Sequence, residues 1–136
     1  MSLPSIIRET YILRQRPQIV PGSTTANWNS GVAPSGAAGA TLATIGVAGQ
    51  WYRLNQFTIV TVGFNIAATV DVRCYMDLAG VNRLVIADDY TMPQEVVFLS
   101  WWFDAEFYGP FRVEVESDQG ADDGLAVVYE YRIKDW

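Results

Sequence analysis

The chain has 136 residues, of which 50% are hydrophobic and 18% are charged, and its formal net charge is −6. This length suits one domain with its own hydrophobic core. Because an acidic chain repels phosphate groups, we expect no nonspecific binding to nucleic acid. Histidine is absent and Cys74 is the single cysteine, which excludes imidazole-based catalysis, an intrachain disulfide and a zinc site built from cysteines. No apolar run approaches the roughly 18 residues of a membrane-spanning helix, so we expect no membrane partner.

The N-terminal segment differs in composition from the rest of the chain. It carries three arginines against one glutamate, a net charge of +2, which leaves −8 for the remainder. Short apolar clusters lie near its start, at Ile6, Ile7, Tyr11, Ile12 and Leu13. Pro17 and Pro21 then bias the backbone to extended structure, and the stretch 22–39 is rich in small and polar residues. The pattern predicts an extended N-terminal arm and linker over residues 1–38, followed by one domain over residues 39–136.

Several residues of this arm are candidates for contact with a partner. Trp28 stands alone among small residues, and such a tryptophan anchors on its own domain or on a neighbouring protein. The apolar clusters can supply further anchors, and Arg14 and Arg16 can pair with acidic groups of a partner. Alternatively, the arm adds a strand to its own sheet or to the edge of a neighbour's sheet, or packs back on its own domain.

From residue 41 onward, apolar residues recur with a period of two, which is typical of half-buried antiparallel strands. Seven strands are predicted, over residues 41–46, 51–62, 69–77, 83–91, 95–103, 111–116 and 125–134. Short, regularly spaced strands without helical segments predict an all-β fold, an antiparallel β-sandwich with an extended N-terminal arm. An eighth strand contributed by the arm would make this sandwich jelly-roll-like.

The segment 101–108 combines a dense cluster of aromatic residues with the carboxylates Asp104 and Glu106. The aromatic side chains can fill the core at a strand end, form a protein-contact patch, or hold a sugar ring. The candidate contact residues here are Trp101, Trp102 and Tyr108. Paired carboxylates beside aromatics could also hydrolyse glycosides, but no other feature supports catalysis, and we expect the protein not to be an enzyme.

Metal binding would have to use oxygen ligands. The loop 117–124 places Asp118, Asp122 and Asp123 on a glycine-containing turn, and calcium accepts such ligands in flexible loops. The spacing is not that of an EF-hand, and Asp and Gly are ordinary turn residues. We therefore expect neither a metal nor a cofactor.

Three stretches resemble a group of small β-sandwich proteins from the structural modules of tailed viruses, the bacteriophages. They are ATIGVAGQWYRL at 43–54, TVDVRCYMD at 69–77, and FRVEVESD at 111–118 followed by ADDG at 121–124 and a tyrosine-rich last strand. The resemblance covers residues 39–136. It rests on β-sandwich patterning, and no functional residue is fixed by type.

The resemblance implies a non-enzymatic virion protein, a capsid decoration, cement or minor capsid protein. Such proteins often form homotrimers and clamp neighbouring subunits of the major capsid protein through an arm and a sandwich edge. The alternatives are a tail or spike component and, from a different class, a carbohydrate-binding β-sandwich module. The latter predicts that Trp101, Trp102 or Tyr108 is exposed on a flat or concave face.

Overall fold

The computed structural model describes residues 18–93 and 98–135, apart from the side chains of residues 98–105 and 135. Eight strands and one short 3₁₀ helix make up the described chain. In chain order they are β1 (Gln18–Asn27), β2 (Ala40–Ile45), β3 (Trp51–Val60), β4 (Thr69–Leu78), β5 (Val81–Thr91), β6 (Phe98–Tyr108), β7 (Phe111–Ser117), the 3₁₀ helix (Gly120–Asp122) and β8 (Asp123–Asp135). Within this part of the chain, no helix is long and apolar enough to cross a bilayer.

The strands form two four-stranded sheets, with the orders β1-β8-β3-β6 and β2-β7-β4-β5. All paired strands run antiparallel. Strand β1 pairs with β8, β2 with β7, β3 with β6 and β4 with β5. This is the pattern of one long hairpin rolled into two layers. This connectivity is the eight-stranded jelly roll. The predicted all-β sandwich is therefore confirmed, and so is the eighth strand from the N-terminal segment.

The predicted boundary at residue 38 is wrong, because β1 already belongs to the sandwich. This strand pairs with β8 from Gln18 opposite Ile133 to Asn27 opposite Asp123. Its inward positions hold small residues, so its composition was mistaken for a linker. Gly22 shows the reason for the small residues, since a Cβ at this position would lie 2.3 Å from the Tyr129 ring.

The core lies between the two sheets and follows the predicted alternation. Val70, Val72 and Cys74 of β4 are buried against it, as are Val113 and Val115 of β7. On β8 the inward residues include two tyrosines. Both stack nearly parallel to the buried Phe57 ring of β3, with centroid distances of 5.7 Å to Tyr129 and 6.0 Å to Tyr131.

Trp28, directly after β1, belongs to the same core. Its side chain is 0% exposed, and its indole N–H donates to the carbonyl oxygen of Leu125 at 2.7 Å. The backbone N–H of Ser117 donates to the carbonyl oxygen of Trp28 at 2.9 Å. Trp28 therefore anchors on its own domain, which is one of the two roles predicted for it. Its place among the partner-contact residues is corrected, because a fully buried ring offers no surface to another protein.

The connection between β1 and β2 covers part of the outer face of the second sheet. Glu114 points outward from β7, as the alternation predicts, but it is fully buried beneath this connection. Its carboxylate accepts hydrogen bonds from the Ser35 hydroxyl at 2.6 Å and from Arg112 Nε at 2.9 Å. A buried charge is tolerated when it is paired and hydrogen-bonded in this way. Residues 28–39 are therefore part of the folded domain.

The burial of Trp28 gives a stability prediction with a matched control. We expect Trp28→Phe to lower the free energy of unfolding by about 2–4 kcal/mol, because it leaves a cavity and an unpaired carbonyl at Leu125. Trp51→Phe, at an exposed position, should change it by no more than about 0.5 kcal/mol. Urea unfolding of the two variants measures the difference. Equal effects would contradict the assigned role of Trp28.

Candidate functional site

Most of the predicted contact residues lie outside the described part of the chain. Seven of them precede residue 18: Ile6, Ile7, Tyr11, Ile12, Leu13, Arg14 and Arg16. The side chains of Trp101 and Trp102, and that of Asp104, also fall outside the described residues. With Trp28 buried in the core, Tyr108 is the predicted contact residue whose surroundings the structure defines.

Tyr108 is exposed and pairs with a second exposed aromatic residue. It ends β6 opposite Trp51, the first residue of β3, and the exposed fractions are 42% for Tyr108 and 53% for Trp51. Their ring centroids are 5.2 Å apart and the ring planes are tilted by 53°. Trp51 begins the strand predicted over residues 51–62, and the sequence did not indicate that its ring is exposed. Its outward direction depends on the strand register, which shifts between Leu54 and Gln56.

This aromatic pair lies at the end of the sandwich where the β2–β3, β4–β5 and β6–β7 turns meet. Phe111 pairs with both Ile45 and Met76, which brings the ends of β2 and β4 to the start of β7. The backbone N–H of Gly109 donates to the carbonyl oxygen of Gln50 at 2.9 Å, which joins two of the turns. Five exposed side chains define what we term the apolar end: Val47, Trp51, Leu78, Val81 and Tyr108.

Strand β1 also begins at the apolar end. Gln18, the first residue of β1, pairs with Ile133, and Ile133 in turn pairs with Leu54, near the start of β3. Exposed apolar side chains occur at the opposite end too, at Val62 and Ile66. Among the described side chains, no exposed aromatic ring lies beside Val62 and Ile66. The apolar end therefore has the composition that interface cores favour.

Strand β5 forms one margin of its sheet and is unusually exposed. It has 11 residues, and every one except Ile86 and Tyr90 is exposed. Among the described strands it pairs with β4 alone. A long edge strand of this kind is a template for pairing with another chain. Leu84 and Val85 add exposed apolar surface beside the apolar end.

A row of carboxylates crosses the outer face of this sheet. Asp71 of β4 lies directly opposite Asp89 of β5 on one side and Glu116 of β7 on the other. Like charges in opposed positions destabilise a sheet. An open groove of about 270 Å³ lies over the row, lined by Asp71, Arg73, Ala87, Asp88 and Asp89. Arg73 neutralises part of the charge through a 3.0 Å contact with Glu116. Burial, and then the charges of Glu116 and Asp89, raise the pKa of Asp71.

The aspartates of the loop 117–124 accept hydrogen bonds from neighbouring backbone N–H groups. Asp123 accepts the backbone N–H groups of Asn29 and Ser30 at 2.8 and 3.1 Å. Asp122 accepts the backbone N–H of Asn65 at 2.8 Å, and Asp118 accepts the backbone N–H of Thr69 at 2.8 Å. Hydrogen bonds from Ser30 and Asn29 lower the pKa of Asp123. These carboxylates therefore join the β1–β2 and β3–β4 connections to the end of β7.

Side chains that could bind a metal, act as an acid or act as a nucleophile occur among the described residues. Among them, no group of three or more side chains of the metal-binding types converges on one point. Glu106, one member of the predicted carboxylate pair, is exposed and forms a 2.5 Å ion pair with Arg53. Burial raises the pKa of the Cys74 thiol to about 12, so it stays protonated and poorly nucleophilic at neutral pH.

Comparisons with known proteins identify no family for this chain. No protein-family model matches the sequence, and no curated protein matches it. A solved structure, that of the infectious bursal disease virus Gx strain, aligns with 88% of this chain at 10% identity and a TM-score of 0.45. The aligned region spans 32% of that viral chain. A likeness at this level carries no inference about function.

The raised pKa of Asp71 predicts a pH-dependent stabilisation by Asp71→Asn. The folded state holds this proton more tightly than the unfolded chain does, so stability is lost as the pH rises from about 3.9, the unfolded pKa, through the folded value. The asparagine removes this loss. We expect a higher melting temperature than wild type at pH 7, and a gain that disappears below pH 3.9. Thermal unfolding at pH 7 and pH 3 checks both. A lower melting temperature at pH 7 would show that the carboxylate stabilises the sheet.

Proposed function

We propose that the chain is a non-enzymatic structural protein of a virus particle, a capsid decoration, cement or minor capsid protein. The jelly roll is used by viral capsid domains, and also by lectin domains and cupins. Because a fold alone does not determine function, the proposal depends on what the surface of this jelly roll presents.

The observation that carries the proposal is the convergence of contact features at the apolar end. The exposed Trp51–Tyr108 pair, the exposed tip of the β4–β5 hairpin and the start of β1 all lie there. Exposed aromatic and apolar groups next to one another are typical of protein-binding surfaces. Residues 1–17 connect to β1 at this end, so one partner could contact the apolar end and these residues together.

The charge distribution supports a protein partner with acidic groups. The first 38 residues have a net charge of +2 on a chain whose total is −6. On such a partner, Arg14 and Arg16 would form ion pairs while Ile6, Ile7, Tyr11, Ile12 and Leu13 supply apolar anchors. A segment that becomes ordered on binding can cover a large surface, at a cost in conformational entropy.

Carbohydrate binding is a second candidate, favoured by the same aromatic pair. Trp51 and Tyr108 present exposed ring surface, and the next outward row holds the Arg53–Glu106 ion pair. Aromatic rings beside hydrogen-bonding groups can hold a sugar. The two candidates share Tyr108 and Trp51 but differ in the ligand that these residues contact.

The virion proposal predicts that particles lacking the chain bind it again through the apolar end. We expect the purified chain to co-sediment with particles of the parent virus from which its gene has been deleted. Trp51→Ser/Tyr108→Ser should weaken binding by about thirtyfold or more, because central aromatic contacts contribute about 2 kcal/mol or more. Val62→Ser, at the exposed opposite end, should bind like wild type.

Two outcomes of this experiment would contradict the proposal. The chain could fail to bind the particles, or the variants at both ends could bind equally well. Glycan-array binding that is lost in Trp51→Ser/Tyr108→Ser, together with no binding to particles, would favour the carbohydrate-binding alternative.

A further inference from the structure

The described charged side chains are divided unevenly between the two ends of the sandwich. Those near the middle of their strands are of both signs. Near the apolar end, basic residues outnumber acidic ones: Arg53, Arg83, Arg112 and Lys134 against Asp77 and Glu106. Near the opposite end, the described charged side chains are all carboxylates: Asp71, Asp88, Asp89, Glu116, Asp118, Asp122 and Asp123. The sandwich is therefore electrically polarised along its strands.

The carboxylate-rich end also exposes apolar side chains. Val62 and Ile66, in the connection between β3 and β4, are 71% and 75% exposed. This connection is joined to the acidic loop 117–124, because the backbone N–H of Asn65 donates to Asp122 at 2.8 Å. Asp118 of the same loop is exposed. Three exposed side chains define what we term the acidic end: Val62, Ile66 and Asp118.

The apolar end combines its exposed aromatic rings with positive charge. Arg83 is exposed and follows Val81 of the apolar end by two residues. Among the described side chains, no carboxylate lies within ion-pair distance of Arg83. Lys134 pairs with Arg53, which follows Trp51 by two residues. Basic groups therefore surround the apolar surface at this end.

The two ends complement each other in both apolar surface and charge. If the apolar end of one copy met the acidic end of another, both apolar surfaces would be removed from water. The basic groups of the first would face the carboxylates of the second, which is the charge arrangement that protein interfaces favour. Two apolar ends brought together, or two acidic ends, would instead place like charges against each other.

We propose that the apolar end of one copy of this chain binds the acidic end of a second copy, head to tail. Such a contact joins two different surfaces, so it closes into a ring or continues as an open row, depending on the rotation between copies. The inference does not depend on the virion role, because a chain that is absent from particles could associate in the same way.

Variants that disable one end at a time test the proposal in the full chain. We expect wild type to self-associate in sedimentation equilibrium over a wide concentration range. Trp51→Ser/Tyr108→Ser, and separately Val62→Ser/Ile66→Ser, should each weaken association by at least about tenfold, because contacts at the centre of an interface contribute most of the binding energy. Val128→Ser is the matched control, since Val128 is an exposed residue in the interior of β8, away from both ends. It should associate like wild type.

Mixing the two variants distinguishes a head-to-tail contact from contact between like ends. Each variant keeps one working end, so an equimolar mixture should form a heterodimer that cannot grow further. Arg83→Glu should also weaken self-association of the otherwise wild-type chain, and added salt should do the same, because salt screens exposed charges. Urea unfolding should show that each variant is folded, since all the substituted side chains are exposed.

Three results would overturn the proposal. The wild-type chain could stay monomeric at every concentration, Val62→Ser/Ile66→Ser could associate like wild type, or the mixture could fail to form the heterodimer. Particle binding separates this inference from the virion proposal. The acidic-end variant would lose self-association in both cases, but it would bind particles only if the virion proposal is correct.

Discussion

The pairing of β1 with β8 is the constraint on which the rest of this structure depends. It joins the first described strand to the last, and Trp28 fixes the joint by filling the core and donating its indole N–H to Leu125. Asp123 adds a second connection at the same place, through the backbone of Asn29 and Ser30. The other three strand pairs, β2–β7, β3–β6 and β4–β5, follow inside this outer pair in the order of the jelly roll. The described strands then form the eight-stranded jelly roll.

Sequence patterning could predict the parts of the fold that depend on large alternating side chains. The strands predicted over residues 69–77, 111–116 and 125–134 were of this kind, and their alternate apolar side chains are buried or partly buried in the core. β1 was missed as part of the domain because its inward positions are occupied by small residues, as the contact between Gly22 and the Tyr129 ring requires. The burial of Trp28 was one of two predicted alternatives, and composition could not choose between them. The choice depended on a partner 97 residues away in the sequence, the carbonyl of Leu125.

The candidate surface was predictable only in part, for a related reason. Tyr108 was identified from a dense aromatic segment, whereas Trp51 became a surface residue only when β3 and β6 were aligned. The carboxylate row across β5, β4 and β7 likewise joins residues that are remote in sequence. The three aspartates near residue 120, which are close in sequence, accept backbone hydrogen bonds and hold loops together. Long-range register thus determined which acidic residues form a surface feature and which support the fold.

The central claim is that the eight described strands fold without residues 1–17. Urea unfolding of a chain that lacks residues 1–16, at low concentration, tests this claim most directly. The account predicts one cooperative transition with a free energy of unfolding within about 0.5 kcal/mol of the full chain, because surface changes away from the core have small effects. Loss of cooperativity, or a destabilisation of several kcal/mol, would show that the segment packs within its own domain and would contradict the account.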